Sequence, residues 1–236
     1  MRKQKRINFS YYVHNPNNIV INKEEEYTVI PFGHRCTSAI AVRNASLRKF
    51  SLPFDWNLYL YPGKIKNVLQ NNFENFLPEN ITSQNKIIMN KYDIKISHFN
   101  NDIKKGIEEY TRRLERIKKI LSDHKKIYFV YINEDYLYRE SYRNKDFNDK
   151  MLSEMIDLDC YLKTNYPNIK HIILYFNFIE EKIPENSSII NVVLKSNIYS
   201  QSPLYYEPFR NFCTKILCKL FETQEADKVH KISNFD

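Results

Sequence analysis

Three short apolar runs in the second half of the chain constrain the fold most. They are Lys126–Ile132 (KIYFVYI), Lys170–Phe176 (KHIILYF) and Ile189–Leu194 (IINVVL). Each is rich in β-branched and aromatic residues, and the apolar residues are continuous rather than alternating with polar ones. Such a strand is buried on both faces, which is the habit of a parallel sheet covered by helices. Amphipathic segments alternate with the runs. Ile103–Leu121 places Ile103, Ile107, Tyr110, Leu114, Ile117 and Leu121 on one helical face, with Asn100 or Asn101 available as a cap. Phe147–Leu162 does the same with Met151, Met155, Leu158 and Leu162, and Pro208–Phe221 with Phe209, Phe212, Ile216, Leu217 and Leu220. The expected fold is α/β, a mostly parallel sheet flanked by helices. Tyr27–Phe32 (YTVIPF) is expected to join the sheet and to be followed by a helix over Thr37–Leu47. A second helix is expected over Ile65–Phe76. Lys86–Met89 and Tyr92–Ile96, either side of Asn90-Lys91, read as a small β-hairpin insertion. The division expected is a polar N-terminal arm over residues 1–25, one α/β domain over 26–222 and a polar tail over 223–236.

Composition removes several functions. The 236 residues contain only 3 glycines, which excludes the clustered-glycine loops of dinucleotide and Walker-type phosphate sites. The 36 Lys and Arg against 28 Asp and Glu give a net charge of +8. The basic residues are spread along a chain also rich in Asn, Ile and Tyr, a pattern that AT-rich coding produces by itself. The charge is therefore read as background, and nucleic acid is not the expected partner. The 4 cysteines, Cys36, Cys160, Cys213 and Cys218, form no CxxC pair, so neither a metal site nor a cofactor is expected. No run approaches the ~20 apolar residues of a membrane helix, and the basic N-terminus lacks the apolar core of a signal peptide. The chain reads as soluble and cytoplasmic, with a peptide or small-molecule substrate and an oligomeric state the sequence leaves open.

Chemistry-bearing residues gather at the end of the first strand. In Gly33-His34-Arg35-Cys36, a thiol at a helix N-terminus beside a cation is favoured in its nucleophilic thiolate form. Ligands in open α/β sheets bind outside the carboxyl ends of the strands, where this segment lies. Gly33 is read as supplying the conformational freedom of a tight turn. Spacing alone favours reading Cys36 as a small packing residue. Pro53-Phe54-Asp55-Trp56 holds the lone Trp beside an acid: Asp55 either caps a turn or points into the cleft of Cys36. His98 ends the predicted hairpin and suits a general base, with His34 as its competitor. Arg112, Arg113 and Arg116 lie on the strongest helix, as a solvated face or as a clamp for phosphate or carboxylate.

The blocks FGHRC, SLPFDW, NKYDIKISHFN, YTRRLERIKKIL and KIYFVYI, in that order, resemble the family of uncharacterised proteins described as papain-like cysteine peptidases. Its pattern is a Ser-Leu-Gly-x-x-Cys start, a Pro-Phe-Asp-Trp block, a Tyr-x-x-x-Phe-x-His-Asp block and an Arg-Arg-x-x-Arg-Phe helix before a Phe-Val strand. The likeness runs from about Tyr27 to Glu180 and puts Gly33, Cys36, Asp55, Trp56, His98, Arg112, Arg113 and Arg116 on the family's motif positions. Pro31-Phe32 replaces Ser-Leu, Phe99-Asn100 stands where the family has Asp after His, and Ile117 replaces the last Phe. The resemblance implies a cysteine peptidase. The helix–strand alternation after residue 100 does not match the antiparallel sheet of papain-like folds.

Three functions follow. In a thiol hydrolase, Cys36 is the nucleophile, His98 the base and Asp55 the orienting acid, while Gly33, His34, Arg35, Trp56, Arg112, Arg113 and Arg116 face the substrate. In a transferase of glycan or nucleotide-sugar metabolism, the arginine helix holds phosphate. In a non-enzymatic nucleic-acid or partner-binding module, the many Tyr and Phe stack on bases.

Overall fold

A computed structural model describes residues 8–14, 25–77, 88–96, 99, 102–123, 126–138, 140–197 and 206–224. The strands are β1 (Phe9–His14), β2 (Tyr27–Phe32), β3 (Asn57–Leu58), β4 (Ile88–Met89), β5 (Lys95–Ile96), β6 (Lys126–Ile132), β7 (Lys170–Asn177) and β8 (Ile189–Ser196). The helices are α1 (Thr37–Asn44), α2 (Pro62–Gln70), α3 (Ile103–Ser122), α4 (Asp135–Tyr138), α5 (Lys145–Asn165) and α6 (Tyr206–Phe221). A 3₁₀ turn, Glu140–Arg143, joins α4 to α5.

The main sheet has the order β1-β8-β7-β6-β2. β2, β6, β7 and β8 run parallel, and β1 closes one edge antiparallel to β8, with Phe9 opposite Ser196 and His14 opposite Asn191. Part of the polar N-terminal arm is thus a sheet strand. The period of two along each strand sends alternate residues to opposite layers. Ile30, Phe129, Tyr131, Ile173 and Tyr175 meet α2, α3 and α5 in one buried cluster. Val29, Tyr128, Val130, Ile132, Leu174 and Val192 meet α1 and α6 in the other. Between β2 and β6 the chain inserts a three-stranded antiparallel sheet, β3-β5-β4.

Boundaries differ from the sequence reading where local bonds compete with helix. The expected helix over Ile65–Phe76 stops at Gln70, and Asn72, Phe73 and Asn75 take positive φ in the turns that follow. α3 is capped by Asp102, whose side chain accepts from the Lys105 amide at 3.2 Å; the expected caps, Asn100 and Asn101, lie outside the described residues. No helix among the described residues is long and apolar enough to cross a membrane.

Candidate active site

Cys36 stands at the N-cap of α1, directly beyond the carboxyl end of β2. α1 has no acid in its first turn, and the Cys36 carbonyl already accepts the Ile40 amide at 2.9 Å. Ser38 anchors this turn to the neighbouring strand by accepting the Ile132 amide at 3.1 Å. That contact explains Gly33. Its φ is not positive, so the conformational freedom expected of it is not what the turn uses. A Cβ at position 33 would instead collide with the Ser38 hydroxyl. Glycine is needed for close approach. Cys36 is half-buried, and none of the four cysteines is in a disulfide.

Two acids that the sequence reading missed converge on this turn. Asn133-Glu134-Asp135 follows the carboxyl end of β6, which lies beside β2. Asp135 Oδ2 pairs with His34 Nε2, and its Oδ1 accepts from Arg35 Nε at 2.8 Å. His34 is buried; its ring stacks on Tyr61 at 4.9 Å and meets Tyr59 edge-on at 5.4 Å. Burial would raise the Asp135 pKa, but His34 and Arg35 outweigh it and hold the carboxylate below its usual range. Glu134 is the opposite case. Its Oε2 accepts from the Thr37 hydroxyl, Arg35 stays 3.7 Å from Oε1, and burial pushes its pKa up to about 7. Arg210 of α6 donates to Thr37 at 3.2 Å, so the end of β6 and the neighbouring helix both brace the start of α1. The signal for these acids was present: charged residues immediately after a buried parallel strand lie where such sheets bind ligands.

A second charged cluster lies on the α3 side. Asp55 is buried, and its Oδ2 accepts from Arg48 at 2.5 Å and from the Leu52 amide at 3.0 Å. Burial outweighs these partners and raises its pKa. Its Oδ1 has no hydrogen-bond partner among the described residues. Arg113 turns inward, its guanidinium 4.8 Å from the Tyr110 ring. Burial raises the Tyr110 pKa, and its hydroxyl also feels Arg113, Asp55 and Cys36. These four groups therefore share one electrostatic neighbourhood. Trp56 is buried under Arg48, 5.6 Å away. Arg112 faces solvent and Arg116 reaches the Ser51 carbonyl at 3.4 Å, so the three arginines of α3 do not converge. His98 lies outside the described residues. Near it in the chain, Ile96 pairs with Asn57, and Phe99 stacks on Tyr110 at 5.8 Å.

Compared with models of known families, the chain matches the one described as "Putative papain-like cysteine peptidase" over residues 27–163. The chain belongs to that family. The matched stretch runs from β2 into α5, so Cys36, Asp55, Tyr110, Arg113, Glu134 and Asp135 fall within the family region, while β7, β8 and Arg210 lie beyond it. No curated protein and no solved structure matches the chain.

Proposed function

We propose that this protein is a thiol-dependent hydrolase of the cysteine peptidase kind, with Cys36 as nucleophile, His98 as base and Asp55 as the acid that steadies the imidazolium. One observation carries the reading: the Cys36 thiol stands at the start of α1 on the carboxyl edge of a parallel sheet, near enough to act on the Tyr110 hydroxyl, which Arg113 and Asp55 also influence. Backbone N–H groups and the helix dipole favour an anionic sulfur there. Asp55 retains one buried oxygen for an imidazole N–H. In the reaction the Cys36 sulfur bonds to the carbonyl carbon, and the carbonyl electron pair moves to oxygen beside the α1 amides. The imidazolium then gives its proton to the leaving group as that bond breaks. Water, deprotonated by the same imidazole, attacks the thioester and releases the thiolate.

His34 is a second assignment for the base, favoured by its bond to Asp135 two residues from the thiol. The divergence of Arg112, Arg113 and Arg116 favours no phosphate clamp on α3, and the transferase reading lacks a supporting contact. Alkylation by iodoacetamide at neutral pH tests the proposal. Cys36 is half-buried and Cys160 exposed, yet Cys36 should react about 10-fold faster if it is an activated thiolate. Slower reaction at Cys36 than at Cys160 would sink the reading. His98→Ala should remove the advantage and His34→Gln should keep it; the reverse result moves the base to His34.

A further inference from the structure

The carboxyl ends of β6 and β7 carry polar groups that the thiol chemistry does not use. Tyr131 and Tyr175 occupy adjacent register positions on the face toward α5, with ring centroids 5.9 Å apart. Both are essentially inaccessible, and neither hydroxyl has a hydrogen-bond partner among the described residues. Glu181, in the loop between β7 and β8, is 8% exposed and keeps Oε2 unpartnered. Glu181 acts on the Tyr175 hydroxyl, and Tyr175, Tyr61, Asp135 and Glu154 act on Tyr131. Three buried oxygens without partners are costly unless something bonds them, since each has given up its hydration.

Charge decides what that partner is. The Asn177 side-chain amide approaches Glu181 and offsets part of its burial, but it is neutral, and Asp149 adds a like charge. Asp135 is already matched by His34 and Arg35, and Lys150 reaches Glu154 only from solvent, at 3.8 Å. No cation pairs with Glu181 among the described residues. An anion would be repelled here, and an apolar group would leave all three oxygens unpaired. A group with several N–H donors and a positive charge satisfies the oxygens and the charge together.

We propose that the carboxyl ends of β6 and β7, under the β7–β8 loop, bind the ammonium or guanidinium group of a ligand, with Glu181 as its counter-charge and the Tyr131 and Tyr175 hydroxyls as acceptors. The site lies on the sheet edge that holds Cys36, joined to it through Asp135 and His34, but it binds whether or not Cys36 is a nucleophile. Failure here and failure of the hydrolase reading are therefore separate results. The test is calorimetric titration of the full chain with n-butylguanidinium and with the uncharged N-butylurea. The cation should bind saturably and at least about 10-fold more tightly than the urea, a difference set by the charge-assisted bonds. Glu181→Gln should abolish that preference, and Tyr175→Phe should weaken the cation's binding without creating affinity for the urea. No saturable binding, equal binding of the two compounds, or an unchanged preference in Glu181→Gln overturns the proposal. If Glu181→Gln does not fold, the wild-type comparison and Tyr175→Phe still decide it.

Discussion

Asp135 binds two side chains, His34 and Arg35, with one carboxylate, and both belong to the turn that presents Cys36. Oδ2 faces the buried His34 and Oδ1 faces Arg35. Removing one member of a buried charged set leaves the others uncompensated, at a cost of about 3–5 kcal/mol. Asp135→Ala should therefore lower the melting temperature by roughly 10 °C for a chain of this size. A loss of only a degree or two, measured by thermal unfolding, would mean that His34 and Arg35 find other partners. At this scale the sequence was informative about one side of the site. The Gly33–Cys36 run, Asp55 and Trp56 stood out because glycine, tryptophan and cysteine are scarce. Glu134 and Asp135 did not, because acids are common and nothing local ties them to a segment a hundred residues earlier. Trp56 and Arg113, read as substrate-facing, are buried beneath Arg48 and against Tyr110.

Among the elements, α3 was the most legible, since its apolar stripe repeats at helical spacing over its whole length. Its orientation was not. Arg113 falls on the buried side with Tyr110, Ile117 and Leu121, so adjacent arginines point to opposite environments. Gly106 shows why. It lies in the first turns of the helix, where glycine costs about 1 kcal/mol relative to alanine. A Cβ there would collide with the Phe99 ring, which stacks on Tyr110. Gly106→Ala should thus destabilise the protein despite its better helix propensity, and Phe99→Leu should relieve part of the loss. A rise in stability in the single variant, by chemical denaturation, would show that Phe99 moves aside freely.

For the whole molecule, the burial of acids couples stability to pH. Buried acids concentrate at the carboxyl edge and make stability depend on pH with a definite sign. Glu134 and Glu181 have pKa values near 7, raised from 4.5 by burial. A raised carboxyl contributes stability that is complete below its unfolded pKa and lost as pH rises through the folded one. Asp135 and Asp159 are lowered from 3.8, Asp159 by His171 and Lys163; their contribution is present above that value and lost at lower pH. The melting temperature should peak near about pH 4–5 and fall by roughly 5 °C or more toward pH 8. Glu134→Gln should flatten the alkaline side. A flat profile between about pH 5 and 8 in the wild type would show that both acids titrate normally.

The architecture followed from periodicity in the sequence. Continuous apolar strands alternating with amphipathic helices require a sheet covered on two faces, because only that arrangement buries both sides of each strand. Only the tertiary structure decided which groups meet at its carboxyl edge. Side chains from β2, β6, the β7–β8 loop, α3 and α6 become neighbours there through strand order and register, and neither is written in local spacing. Burial then sets their chemistry: the adjacent acids Glu134 and Asp135 have pKa values shifted in opposite directions, because Asp135 meets His34 and Arg35 while burial outweighs the Glu134 contacts.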